Sequence, residues 1–252
     1  VTLNNSNYKI IGNSDTCSYN INQKELIITS LDYSKTYDGL SYRSFLCTVD
    51  GLASTDAIEE VCAVTYDSSA TNAVNHGTYT IRFTLEQRSK YKNYNISTVY
   101  GTYTINKRIV TLSWGETTFT YNGQNQGVVV ESVANGIAGE NVLSTITYNS
   151  NEINVGNYTR VASLPSNSNY EIASGTELCS YRIEKRNLVI TYNDQIKTYD
   201  GKIYSNYTYT QNGLASTDKI DEVISLFYEG EGVSKINAGS YGFNVQYDQR
   251  AK

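Results

Sequence analysis

The chain carries an internal repeat, and this feature limits its possible folds more than any other. The sequence KTYDG occurs at 35–39 and again at 197–201, and GLASTD occurs at 51–56 and again at 213–218. Both motifs recur at the same interval, so no net insertion or deletion separates them. A fixed period of this kind indicates a tandem array of similar units rather than one large domain.

Three further motifs show that the array also has a middle copy. Y-x-I sequences that lead into an aliphatic run begin at Tyr19, Tyr103 and Tyr181. N-x-G-x-Y sequences begin at Asn75, Asn154 and Asn237. N-Y-x-I sequences begin at Asn7, Asn93 and Asn169.

These anchors divide the chain into four predicted segments. Residues 1–23 hold the terminal strands of an incomplete preceding module. Residues 24–106 form the first module and residues 107–184 the second module. Residues 185–252 form the third module, which lacks its last strands.

Within each module the sequence predicts short β-strands joined by tight turns. Runs such as ELIIT and GTYTIRFTL combine β-branched and aromatic residues between Gly, Asn and Asp. The stretch at 52–61 has helical character, with Ser54 or Thr55 as its N-cap. We therefore expect a mainly β fold of small sandwich-like or β-grasp-like modules, each with one short helix, in an elongated rod.

The motifs KTYDG, GL…D, N-x-G-x-Y, N-Y-x-I and Y-x-I-x-K occur in this order along the chain. In this order they resemble the YDG and MBG-type tandem repeat modules of bacterial cell-surface proteins and adhesins, over nearly the whole length. The resemblance implies an extracellular location, at the cell surface or secreted, and a rod of β modules that serves as a stalk or an adhesive surface. The four cysteines depart from it, because surface proteins of this kind are often poor in cysteine.

Charge and motif content exclude several classes of function. The net charge of −5 argues against nucleic acid as a partner, because nucleic-acid-binding proteins carry clustered Lys and Arg. No apolar run is long enough to span a membrane. No motif of nucleophilic, phosphate-binding or metalloprotease chemistry occurs, and the other copies have Val155 and Ala238 in place of His76. We predict a protein that is not an enzyme and has neither a cofactor nor a catalytic or metal-binding residue.

Two functions then remain. The first is a structural repeat region, a stalk or fibre-forming segment of a surface adhesin. The second is a ligand-binding adhesin domain that recognises a glycan or a host protein through tyrosine-rich surfaces. The candidate glycan contacts are Tyr204, Tyr207 and Tyr209, although tyrosines that fill small, wet sandwiches would give the same composition.

The Tyr-Asp-Gly motif has two interpretations, a tight turn or part of a calcium site. The residues are Tyr37, Asp38, Gly39, Tyr199, Asp200 and Gly201. A glycine at positive φ after an Asp is typical of a turn, whereas Asp38 with Asp56 would suit Ca²⁺. The second module has Asn122 at the turn and Asn141 near the helix cap. Asn performs turn and cap roles but weakens a carboxylate site, so the turn is favoured.

The cysteines predict one disulfide. Cys47 and Cys62 flank the predicted helix, and the third module replaces both, with Tyr209 and Ile224. A bond closing this span of about 15 residues would stabilise by about 3 kcal/mol and implies an oxidising compartment. The alternative is two buried thiols replaced independently.

The other two cysteines, Cys17 and Cys179, occupy equivalent positions in different copies, where another copy has Gly101. Neither has an obvious partner within its module. They are predicted to be free thiols or to bond outside the chain.

The ends of the sequence suggest how copies join. The third module stops before its N-Y-x-I and Y-x-I-x-K strands, and residues 1–23 carry an N-Y-x-I motif and a Y-x-I motif. We expect the chain to be one period of a head-to-tail array or polymer. Residues 1–23 would then lie on the third module of a neighbouring copy, by strand addition or by a continuous backbone, with Cys17 at the junction.

Overall fold

The computed structural model describes residues 6–9, 11 and 17–250. The chain separates into two compact units, of which the first ends at Lys107 and the second begins at Arg108. The strands expected in segment 1–23 fall partly on residues 1–5, 10 and 12–16, which lie outside the described residues. Residues 17–23 lead into the first strand and are themselves in no strand.

The first unit contains eight strands and two short α-helices in its described part. They are β1 Lys24–Ser30, β2 Tyr33–Thr36, β3 Cys47–Asp50, α1 Ile58–Val61, β4 Cys62–Tyr66, α2 Ser68–Thr71, β5 Gly77–Ile81, β6 Phe83–Gln87, β7 Tyr94–Val99 and β8 Gly101–Asn106. A 3-10 turn, Tyr91–Asn93, precedes β7.

The first sheet of this unit has the order β3-β1-β7. β3 is antiparallel to β1, and β7 is parallel to it. Side chains along β1 alternate between core and solvent, so Leu26 and Ile28 are buried. They pack with Val61, Phe83 and Tyr94 into a core beneath the sheet.

The second sheet has the order β2-β8-β5, and a β4-β6 pair adjoins the core. β8 is central, and its Tyr103 and Ile105 are fully buried. Phe45 contacts the Tyr103 ring edge-on at 5.2 Å between centroids, and Tyr33 and Tyr42 stack on each other beside it. Aromatic pairs of this kind stabilise a small core that has few aliphatic residues.

The second unit holds the second and third modules. Its described strands and helix are β9 Arg108–Trp114, β10 Thr118–Thr120, β11 Val130–Ala134, β12 Thr147–Tyr148, β13 Gly156–Ser163, β14 Tyr170–Ile172, β15 Leu178–Glu184, β16 Val189–Tyr192, β17 Tyr209–Asn212, α3 Ile220–Val223, β18 Ile224–Glu229 and β19 Asn244–Gln249. The 3-10 turns are Leu143–Thr145 and Glu231–Ser234.

The second module repeats both sheets of the first. Its first sheet has the order β11-β9-β14, and its second has the order β10-β15-β13-β12. The parallel register is the same in both modules, because Lys24 faces Tyr94 across the strands and Arg108 faces Tyr170. The third module has two antiparallel pairs in the described residues, β16-β17 and β18-β19.

The prediction of a mainly β fold is confirmed, whereas the expected helix is shorter and is capped differently. α1 begins after Ala57, and the Glu60 carboxylate accepts a hydrogen bond from the Ala57 N–H at 3.1 Å. Ser54 and Thr55 precede this start and do not cap it, because Glu60 reaches back to the N-cap backbone. In the second module a 3-10 turn takes the place of the helix.

Replacing Gly101 with alanine should destabilise the first unit. A Cβ at this position would lie 2.6 Å from the Ser30 carbonyl oxygen and 2.9 Å from that of Leu31, both of which are backbone atoms. We expect Gly101→Ala to lower the free energy of unfolding by about 1–3 kcal/mol in urea denaturation. The control is Gly242→Ala, whose Cβ would meet nothing within 4 Å; equal effects would contradict the prediction.

Candidate functional site

A tyrosine hydroxyl of the first module lies between a backbone donor and a carboxylate. Buried Tyr94 is the first residue of β7; its hydroxyl accepts from the Ala53 N–H at 3.1 Å and donates to Asp56 Oδ2 at 2.7 Å. The Lys90 ammonium donates to Asp56 Oδ1 at 2.9 Å and to Glu60 Oε2 at 2.7 Å. We call this group the tyrosine–carboxylate site.

The second module builds the same contact. The Tyr170 hydroxyl, at the start of β14, accepts from the Ile137 N–H at 3.2 Å and donates to Glu140 Oε2 at 2.6 Å. In both modules the tyrosine therefore holds a loop against the start of the parallel strand, β7 or β14. The loop is the one that follows the antiparallel strand, β3 or β11. A buried hydroxyl that both donates and accepts satisfies its hydrogen-bonding capacity.

These contacts correct the alignment of the middle copy. Ile137 occupies the place of Ala53, so Glu140 corresponds to Asp56, and Asn141 lies one residue beyond the acid. Asn135, at φ 67°, takes the left-handed position that Gly51 has at φ 92°. The carboxylate is therefore retained at Glu140, one residue before Asn141. Asn141 itself lies near the cap, as expected, because its Oδ1 accepts from the Ser144 N–H at 3.2 Å in the 3-10 turn that replaces the helix.

In the third module the equivalent acid, Asp218, accepts a hydrogen bond from a tyrosine of the second module. Asp218 Oδ2 accepts from the Tyr121 hydroxyl at 2.8 Å. Tyr121 belongs to the Tyr-Asn-Gly turn, and a Cβ built on Gly123 would lie 1.7 Å from Thr217 Oγ1. The turn of the second module therefore packs closely against the GLASTD loop of the third.

The Tyr-Asp-Gly residues form the same turn in each module. Asp38 Oδ1 accepts from the Leu40 N–H, and Asp200 Oδ1 accepts from the Lys202 N–H, both at 2.9 Å. The Asn122 side chain does the same with the Gln124 N–H at 2.8 Å. The glycines that follow have φ of 77°, 76° and 73°, which is the reason for glycine at this position.

A lysine that the sequence analysis did not single out completes this turn. Lys35 Nζ lies 2.6 Å from Asp38 Oδ1, and Lys197 Nζ lies 2.6 Å from Asp200 Oδ1. In the second module both charges are replaced, by Phe119 and Asn122. This paired replacement is visible in the sequence and could have identified the ion pair.

The tyrosine of each N-x-G-x-Y motif forms a hydrogen bond within its own motif. Each tyrosine hydroxyl donates to the carbonyl of the motif's asparagine at 2.8–3.0 Å; the pairs are Tyr79 with Asn75, Tyr158 with Asn154 and Tyr241 with Asn237. The ring lies over the glycine between them. A Cβ on Gly156 would lie 2.7 Å from the Tyr158 hydroxyl oxygen.

Cys47 and Cys62 both belong to the core of the first module, where they are free thiols. Burial, and secondarily the neighbouring Cys47, raises the pKa of the Cys62 thiol. Burial with Cys47 nearby also raises the pKa of Tyr66 to about 12. The disulfide between the two cysteines stays a prediction.

Cys17 and Cys179 are likewise free thiols. Cys17 is exposed, whereas Cys179 is half-buried and packs against the core around Tyr181. Burial raises the pKa of Cys179, and a raised pKa lowers the reactivity of a thiol at neutral pH.

The three candidate glycan contacts are half-buried. Tyr207 stacks on Tyr228 at 4.2 Å between centroids and meets Tyr204 edge-on at 5.1 Å. Tyr204 and Tyr207 line a shallow surface depression, whereas Tyr209 lies in β17 beside Tyr192. Tyr207 corresponds in sequence to Phe45, which is a core residue of the first module.

The described residues contain neither a metal-binding cluster nor a membrane-spanning helix. No group of three or more His, Cys, Asp or Glu side chains in this part of the chain is arranged to hold a metal ion. Within the same residues, no helix has the length and apolar character needed to cross a membrane.

Comparison of the chain with protein-family profiles, curated proteins and solved structures finds no match.

Acid should weaken the tyrosine–carboxylate site of the first module. The Tyr94 and Lys90 hydrogen bonds hold the pKa of Asp56 below 3.8, and Lys90 with the Ala57 N–H holds that of Glu60 below 4.5. Because both values are lowered by folding, their stabilisation is present above about pH 4.5 and is lost as the pH falls through the lowered values. We expect Asp56→Asn to lower stability at neutral pH and to flatten the loss in acid.

The measurement is the free energy of unfolding across this pH range, with Asp50→Asn as the control at an exposed carboxylate of β3. An Asp56→Asn profile parallel to that of the unsubstituted chain would contradict the role of the site.

The close contact at Gly123 gives a matched pair of variants. Gly123 and Gly201 have the same backbone conformation, but a Cβ on Gly201 would meet nothing within 4 Å. Alanine at either position should cost about 1 kcal/mol of backbone strain. Gly123→Ala should cost a further 1–3 kcal/mol or so by overpacking against Thr217, measured by chemical denaturation of the full chain. Equal costs would mean that the contact between modules does not stabilise the unit.

Proposed function

We propose that this chain is a structural segment of an extracellular tandem array, a stalk or fibre-forming region of a surface adhesin. The single observation that carries the proposal is the tyrosine–carboxylate contact. Within the first and second modules this contact holds the loop that carries the acid against the parallel strand. Between the second and third modules the same type of contact joins one module to the next.

The other repeated motifs support the same function. The Asx turns bond to their own backbone, and the N-x-G-x-Y tyrosines bond to a carbonyl four residues earlier. Repeated polar residues at a ligand site would instead be expected to converge on an open cleft. These side chains serve the architecture of a repeat protein, in which each unit depends on its neighbours.

Three further features support an extracellular rod. The links that join the modules, INKR and IEKR, contain neither Gly nor Pro, which favours a semi-rigid arrangement of successive modules. The order of motifs resembles the YDG and MBG-type modules of bacterial surface proteins. The predicted pairing of Cys47 with Cys62 would suit an oxidising location.

The shape in solution tests the proposal. A compact chain of this length would have a radius of gyration of about 18 Å, whereas three modules in line would give about 27 Å. We expect small-angle X-ray scattering of the dilute monomer to give the larger value and an extended distance distribution. A value near that of the compact globule would contradict the rod.

A further inference from the structure

Two tyrosines of the first module, Tyr33 and Tyr42, form a close and nearly parallel ring stack. Their ring centroids are 3.9 Å apart, and the two ring planes differ by 9°. Tyr33 is the first residue of β2, whereas Tyr42 lies in the loop between β2 and β3. Stacking of aromatic rings is favourable, so the pair holds this loop against the start of the strand.

The two hydroxyls lie at the same end of the stack. A hydrogen bond with the Tyr33 hydroxyl is the main cause of the raised pKa of Tyr42, which places the two phenolic oxygens near each other. When parallel rings carry their hydroxyls at the same end, corresponding carbons face each other. A carbon next to the hydroxyl-bearing carbon of Tyr33, one of its Cε atoms, therefore lies close to a Cε atom of Tyr42.

The third module brings the same two positions together but with a different pair of residues. Gln195 and Tyr204 correspond in sequence to Tyr33 and Tyr42, and the Tyr204 hydroxyl donates to Gln195 Oε1 at 2.9 Å. In the second module Thr117 takes the place of Tyr33. The contact between the two positions thus recurs, whereas two tyrosines meet there in the first module only.

One side of the stack is open to solvent. Tyr33 is 36% exposed, and Tyr42 is half-buried. A third ring, Tyr103, lies beside both, with centroid distances of 5.8 Å and 6.2 Å and tilts of 41° and 40°. Tyr103 is fully buried. A small oxidant in solution therefore has access to Tyr33, whereas Tyr103 is shielded and is not stacked for coupling.

We propose that Tyr33 and Tyr42 are a site of oxidative cross-linking, at which hydrogen peroxide and a peroxidase join the two rings as dityrosine. Each phenol loses one electron and one proton, and the two radicals form a carbon–carbon bond between their Cε atoms. The hydrogens on those carbons then move to the phenolic oxygens and restore both hydroxyls. The peroxide takes up the two electrons and two protons and is reduced to two molecules of water.

The stack supplies the proximity that this coupling requires. Two groups held together in one folded chain react at an effective concentration far above that of any protein solution. The new bond requires the rings to tilt out of their parallel arrangement, and the exposed side of Tyr33 gives room for this movement. Coupling within the pair should therefore be faster than coupling between tyrosines of different molecules.

The cross-link would anchor the loop that carries the Tyr-Asp-Gly turn. Residues 37–46 are in no strand or helix, and the bond would tie this loop to the start of β2. A covalent bond of this kind stabilises mainly by restricting the unfolded chain. It would suit a stalk, but it would form in the folded first unit whether or not the chain belongs to an array.

Treatment of the full chain with hydrogen peroxide and a haem peroxidase tests the site. We expect the monomer to gain dityrosine fluorescence and a proteolytic fragment that joins the segments around Tyr33 and Tyr42. Its mass, measured after reduction of any disulfide, should be lower by two hydrogen atoms. The yield per chain should not change on dilution, because the reaction takes place within one molecule.

Phenylalanine variants separate stacking from exposure. Tyr33→Phe and Tyr42→Phe each keep a ring in the stack but remove a phenol, so each should lower the dityrosine yield of the monomer at least about tenfold. Tyr247→Phe is the matched control. Tyr247 is more exposed, at 62%, but it belongs to no stacked pair in the described part of the chain, so its loss should leave the yield unchanged.

Three results would overturn the proposal. The first is dityrosine that occurs only in covalent dimers, and the second is dityrosine in the monomer that persists in Tyr42→Phe. The third is a linked fragment around Tyr207 and Tyr228, which also stack, at 4.2 Å, in place of the expected one.

The scattering experiment described above is independent of these results. A compact chain that still forms the link between Tyr33 and Tyr42 would contradict the rod and retain the cross-linking site. An extended chain without the link would retain the rod and overturn the site. Where the link forms, the cross-linked monomer should unfold at a higher urea concentration than the untreated chain.

Discussion

The parallel strand that begins with a buried tyrosine is the element on which each complete module depends. This strand pairs with the first strand of the module. The hydroxyl of its tyrosine links a backbone N–H to a carboxylate, both on the loop that follows the strand antiparallel to the first. Three pieces distant in sequence are thus fixed by one side chain. The low dielectric of a partly buried site strengthens these hydrogen bonds and makes their loss costly.

The three copies show which features of the module are required and which can be exchanged. The turn after KTYD tolerates the loss of its ion pair, because Phe119 and Asn122 replace Lys35 and Asp38 together while Gly123 keeps the left-handed conformation. An ion pair whose carboxylate is exposed to solvent contributes little to stability, whereas the backbone conformation at the glycine admits few other residues. All three copies therefore retain the left-handed glycine, and two of them retain the ion pair.

Much of the fold was accessible from the sequence because the repeats supply their own comparison. The period, the short strands and the Asx turn at Asp38 follow from spacing and turn chemistry. The tyrosine–carboxylate site does not follow from the sequence in this way, because Asn135 replaces a glycine. This replacement shifts the apparent alignment of the middle copy by one residue. The contacts of Ile137 and Glu140, together with the left-handed backbone of Asn135, reveal the shift. The helix start was also misassigned, since capping by Glu60 depends on a backbone path that propensity does not specify.

The parallel pairing of β1 with β7 has a consequence for how the array is made. The two strands are joined only after about seventy residues of intervening chain, so their contact closes a long loop and forms late. During synthesis the edge of β1 that pairs with β7 stays open until the last strands of the same module emerge. Folding must then proceed from the N-terminus one module at a time, and the unfinished module is the species most exposed to wrong pairing with its neighbours.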